Sequence, residues 1–139
     1  MAENLRYEEA ARLRDRIEAL EHVLQRLRRL ERLRRLELCL IVPTIEPDWL
    51  KAFFICGGGV CAIRPLPPGA GARLEIGAAL ALCRAARDRA GDTLTPDQAE
   101  DLLLLDGYVR RPPPELVVLP LDAERITAHL IGRRFPRAA

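Results

Sequence analysis

Apolar positions repeat with a helical period at the start of the chain and with a strand-like pattern after it. Leu13, Ile17, Leu20, Leu24 and Leu27 follow one another at spacings of 4, 3, 4 and 3, a heptad seam with Arg and Glu on its flanks. Residues 3 to about 36 contain no Gly or Pro and are dominated by Ala, Leu, Arg and Glu, all strong helix formers. One long helix is predicted there. Glu8 with Arg12 and Glu31 with Arg35, four apart and acid first, support it. After Leu27 the spacing becomes 3, 3 and 3 through Leu30, Leu33 and Leu36, so the stripe drifts around the helix and the seam is lost. A helix of this length cannot bury its stripe against itself. It needs the rest of the chain, a second copy or another protein.

From Leu36 the pattern changes. Leu38 to Val42 is an apolar run ended by Pro43, Glu46-Pro47-Asp48 is a turn, and Trp49–Cys56 and Val60–Arg64 flank three glycines. The expectation is a strand followed by a hairpin with a loose glycine tip. The glycines do not read as a phosphate-binding loop, which needs Gly-Lys-Ser/Thr opening a helix. Pro65 to Gly71 reads as a linker and Leu74 to Arg89 as a helix ending at Gly91. Thr95-Pro96-Asp97-Gln98 is a helix start with an N-cap, a proline at the first position and a capping box. That helix is expected to stop near Gly107, with Tyr108–Arg111 extended. Leu116–Leu121 is a strand candidate, and a last helix runs from Asp122 to Ile131 with Gly132 as terminator and a solvated basic tail at Arg133, Arg134 and Arg137.

The predicted class is therefore α+β: a long N-terminal amphipathic helix, a small antiparallel hairpin or meander, and two or three further helices. Three regions are expected, a helix over 1–36, a strand subdomain over 37–66, and a linker with a C-terminal helical region over 67–139.

Charge narrows the function. The 139 residues carry 22 basic and 20 acidic side chains, a net charge of +2, which does not suit a dedicated DNA-coating protein. Three Phe, two Tyr and one Trp supply few platforms for stacking bases. Lys51 is the only lysine, and the Arg, Ala, Leu and Pro usage points to a GC-rich, bacterial coding sequence. Glu3, Arg6, Glu8 and Glu9 stand where a signal peptide would be apolar, and no uninterrupted apolar stretch is long enough to span a membrane. A cytoplasmic location follows as the expectation. Cys39, Cys56, Cys61 and Cys83 form no C-x-x-C pair and read as small buried side chains, with a Cys56–Cys61 bridge across the glycine tip as the sharper alternative.

The segment Asn4-Leu5-Arg6-Tyr7-Glu8-Glu9-Ala10-Ala11-Arg12-Leu13-Arg14-Asp15-Arg16-Ile17 resembles the UVR motif found in the B and C components of excinuclease ABC. Leu5, Tyr7, Glu8, Ala10, Ala11, Arg14, Asp15 and Ile17 fill its pattern without a gap. The resemblance implies a protein-binding site made of these eight residues and Leu20, with small alanines for close helix approach, apolar anchors, and charged rim groups that set register. It also implies the partner, a protein with a UVR-type helical hairpin, or self-association. In the family the motif is the second half of an antiparallel helical hairpin. The first half would precede Asn4, so the expected mate is the helix beyond Leu20, another molecule, or a segment lost by truncation. Residues 36–66 resemble the hairpin that follows the motif in excinuclease C-like nucleases and in fusions of a proofreading-type exonuclease with a GIY-YIG nuclease.

Chemistry is not expected. There is no GIY-YIG pair and no carboxylate–histidine arrangement of a nuclease site. Asp92, Asp97, Glu100, Asp101 and Asp106 read as a cap and a solvated face. His22 and His129 have no second ligand or nucleophile at useful spacing. The reading is a non-catalytic interaction module related to excision-repair nucleases, with no enzyme activity, cofactor, metal or membrane partner, and with DNA reached indirectly. The alternative is a nucleic-acid-binding accessory that tracks phosphates with Arg26, Arg28, Arg29, Arg32, Arg34 and Arg35.

Overall fold

The computed structural model describes residues 2–91 and 93–134, and the chain divides into two compact units, residues 1–32 and 33–139. Asp92 and Arg137, both read above from sequence, lie outside the described residues. The class is α+β, as the hydrophobic pattern predicts. The first unit is helix: α1 runs Ala2–Arg34, its last two residues belonging to the second unit. At 33 residues it is roughly 50 Å long.

The described residues of the second unit form a four-stranded antiparallel sheet with three helices. Its elements are β1 (Leu38–Pro43), β2 (Leu50–Cys56), β3 (Gly59–Leu66), α2 (Gly71–Arg89), α3 (Pro96–Arg110), β4 (Val117–Pro120) and α4 (Ala123–Arg134). The spatial order is β3-β2-β1-β4. Three strands form a meander, and the fourth returns after α2 and α3 to pair antiparallel with β1, Cys39 opposite Leu119 and Ile41 opposite Val117. This is a Greek-key arrangement.

Alternation along the strands decides which face is covered. Cys39 and Ile41 of β1, Ala52, Phe54 and Cys56 of β2, and Ala62 and Leu66 of β3 share one buried cluster with α2 and α4. Helix α2 contributes Ala72, Ile76, Ala79 and Cys83, at spacings of 4, 3 and 4, the stripe a helix lays on a sheet. Helix α4 adds Ile126 and Leu130. Leu33, Leu40, Ile55 and Leu102 are buried outside this cluster, and α3 packs against β3.

Local signals account for most of the boundaries. The β1–β2 connection turns at Asp48, whose φ of 66° an aspartate tolerates, and the Thr44 hydroxyl donates to the carbonyls of Glu46 and Trp49 at 3.1 and 3.0 Å. The predicted capping box of α3 is present: Gln98 N–H donates to Thr95 Oγ1 at 3.2 Å and Thr95 N–H to Gln98 Oε1 at 3.0 Å. Asp122 caps α4, accepting from Glu124 N–H at 2.9 Å.

Four local expectations are corrected. The glycine tip is not loose: Cys56 pairs with Gly59 and a tight turn at Gly57-Gly58 joins the strands, with φ of 61° and 93°. Strand β3 runs through Pro65 to Leu66, which shortens the expected linker. It lies at the sheet edge, where a proline's missing N–H is tolerated. Tyr108 to Arg110 are helical, because α3 continues through Gly107 with Arg110 paired to the buried Asp106 at 3.2 Å, and the prolines from 112 stop it. Helix α4 likewise continues past Gly132 to Arg134.

Candidate partner-binding helix

A straight helix turns about 100° per residue, so the faces of α1 follow from residue numbers. Ala10, Leu13, Ile17, Leu20, Leu24 and Leu27 lie within one narrow sector, with Leu5 and Val23 on its edge. Each is exposed, the five aliphatic seam residues from Leu13 to Leu27 by between 47% at Ile17 and 63% at Leu20. A row of this kind is unusual on a water-exposed helix.

The nine candidate protein-binding residues do not share that face. Leu5, Ala10, Ile17 and Leu20 lie on or beside the seam. Tyr7 and Arg14 flank it on one side, both exposed. Glu8, Ala11 and Asp15, at spacings of 3 and 4, form a second row on the opposite side. The helix thus presents one apolar face and one small, charged face.

Of the six arginines, Arg26, Arg28, Arg29 and Arg32 line one surface depression with His22 and Gln25. Arg34 and Arg35 fall in the second unit, where Arg34 is half-buried and its Cγ lies close to Gly58. The basic run is therefore divided between the units.

The second unit holds a group of side chains that no local pattern announces. Cys61 Sγ lies 2.7 Å from Cys83 Sγ and donates to the Phe54 carbonyl at 3.2 Å. Cys56 Sγ donates to the Cys83 carbonyl at 3.3 Å. Burial pushes the Cys83 and Cys56 thiols up, and a hydrogen bond from Arg87 partly offsets the effect at Cys56. Arg87 also pairs with Glu37 at 2.7 Å, tying α2 to the segment that enters β1. Cys39 is fully buried, which lifts its thiol to about 12. All four cysteines are free, so the alternative of a Cys56–Cys61 bridge is not realised, and the neighbour of Cys61 is Cys83. Among the described residues no group of three or more His, Cys, Asp or Glu is placed to hold a metal ion. None of the described helices is long and apolar enough to cross a membrane.

These features define a chain with an exposed aliphatic row on the helical unit and a compact sheet-and-helix body in the other. The family model described as the UvrB/uvrC motif matches residues 1–23, the part of α1 that holds Leu5 to Leu20. Such motifs mediate protein–protein interactions, and the match points to a role related to the excision-repair proteins that carry them. No curated protein and no solved structure matches the chain.

Proposed function

We propose that the chain is a non-catalytic interaction module of the excision-repair type, docking a UVR-type helical hairpin through residues 5–27 of α1. The observation that carries this reading is the coincidence of the motif at residues 1–23 with a continuous row of exposed aliphatic side chains. Burying that row against a partner helix supplies the driving force. Each aliphatic side chain taken fully out of water contributes roughly 1.5–3 kcal/mol before the cost of association. Arg14 on the flank then helps select register through charge pairing, and Glu8 and Asp15 add to it where a partner also covers the opposite face. The likeness of residues 36–66 to the segment after the motif in excinuclease C-like nucleases belongs to the same reading, in which the chain works alongside a nuclease.

The test is titration calorimetry of the purified chain with excised UVR hairpins from the B and C components of excinuclease ABC. Ile17→Asp puts a charge in the apolar row and is expected to weaken binding by more than about tenfold. Ala11→Asp does the same if the opposite face is also covered, as it is in a four-helix arrangement. Helicity by circular dichroism should be unchanged in both. If both variants bind like wild type, the assignment fails.

A second reading is favoured by the clustering of Arg26, Arg28, Arg29 and Arg32 around one depression. In that reading the helix contacts a phosphate backbone, and affinity for duplex DNA falls steeply with added salt. The absence of measurable binding at low ionic strength would remove it.

A further inference from the structure

We propose that the occupant of the α1 apolar seam is a second copy of this chain, aligned parallel and in register as a two-stranded coiled coil. The inference rests on the docking role of α1 and names the partner. In the heptad frame set by the seam, Ala10, Ile17 and Leu24 take the a positions and Leu13, Leu20 and Leu27 the d positions. Leucine at every d position with a β-branched Ile17 at the central a position suits two strands. The flanking positions carry the argument. Glu9, Arg16 and Val23 stand at g, and Arg14, Glu21 and Arg28 stand at e, all exposed.

In a parallel pair, each g residue faces the e residue five positions later on the other helix. Glu9 then meets Arg14 of the second copy, and Arg16 meets its Glu21. Two-fold symmetry repeats both contacts, so four attractive pairs form and no like charges meet. The remaining g–e pair, Val23 with Arg28, is neutral.

Antiparallel pairing places e against e and g against g. In the register with greatest seam overlap, Ala10 opposite Leu27, Arg14 meets Glu21 twice. Glu9 and Arg16 then face only Leu30 and Val23. Sliding this arrangement one heptad either way brings Arg14 against Arg14 and Arg16 against Arg16, or Arg14 against Arg28 and Glu21 against Glu21. The charge pattern therefore selects the parallel, in-register alignment over every antiparallel one that keeps most of the seam.

Sedimentation equilibrium of the full chain tests this. Wild type is expected to show a reversible monomer–dimer equilibrium, and Ile17→Asp to be monomeric at the same concentrations. Glu9→Arg and Arg14→Glu each turn two attractive pairs into repulsive ones and should weaken dimerisation about tenfold. The double variant Glu9→Arg/Arg14→Glu re-creates the pairs with signs exchanged and should recover wild-type affinity. In the antiparallel register Glu9→Arg is silent and the double variant stays weak, so that pattern overturns the proposal. A wild-type chain that is monomeric throughout, or that forms trimers, also overturns it. If the monomeric chain still binds excised UVR hairpins, only the identity of the partner is lost. If it binds neither itself nor the hairpins, the docking role of α1 is lost as well.

Discussion

Cys61 on β3 and Cys83 on α2 bring their sulfur atoms to 2.7 Å although 22 residues separate them. Two features place them there. The register shift between Phe54 and Ile55 interrupts regular pairing, so that Phe54 faces Ala62, Ile55 faces Val60, and Cys61 is left without a partner in the β2–β3 ladder. Cys83 closes the buried stripe of α2. Closing the gap to the ~2.04 Å of a disulfide needs only about 0.7 Å of further approach.

Treatment with hydrogen peroxide or diamide is therefore expected to link Cys61 with Cys83, lowering the free thiols from four to two. Peptide mapping of the oxidised chain checks the pairing, and a Cys56–Cys61 product contradicts it. Because burial holds the Cys83 thiol protonated, the reaction should be slow at neutral pH and speed up in alkali.

The same burial makes the fold sensitive to alkali. A thiol whose folded pKa lies above its ordinary value disfavours the thiolate in the folded state. Stability is then complete below pH 9.0 and falls as the pH rises from there through about 12 for Cys39. Urea midpoints measured under reducing conditions should decline over that window, and Cys39→Ala should flatten the decline. An unchanged slope would show that Cys39 is not its source.

Among the described residues Phe54 is the largest fully buried side chain, on the central strand β2 and under the helices. Phe54→Ala is expected to cost about 3–5 kcal/mol, read as a fall in the urea midpoint. A loss below about 1 kcal/mol would mean that the cluster repacks.

The β2–β3 turn allows a matched comparison of two glycines. Gly57 has a φ of 61°, and an added Cβ would stand 3.3 Å from the Ala86 carbonyl oxygen. Gly59 has an ordinary φ and open space around it. Gly57→Ala should destabilise by about 1–2 kcal/mol, whereas Gly59→Ala should be neutral or slightly stabilising. Equal midpoints for the two variants would contradict the turn geometry.

Features that depend on neighbours within a few residues were legible in the sequence. The seam from Leu13 to Leu27, the capping box at Thr95 and Gln98, the turn at Pro47-Asp48 and the Asp122 cap are of this kind, and each is present. The errors lie where packing overrides a local preference. Gly107 and Gly132 look like helix ends but sit inside α3 and α4, because a glycine's cost of about 1 kcal/mol is smaller than what the surrounding helix gains by docking. On α1 the motif residues could be named from sequence. Their division between two opposite faces follows only once the whole segment is helical.

The α1 helix, the alignment of its aliphatic row and its alternating flank charges were determined by the sequence alone, since a helix converts residue spacing directly into direction. That the row stays exposed was decided by the structure. The tertiary structure decided which distant segments meet: β4 beside β1, Arg87 on Glu37, and Cys61 against Cys83. Those contacts depend on strand register and on where α2 seats on the sheet. Both are set by the joint packing of residues far apart in the chain, and no local pattern records them.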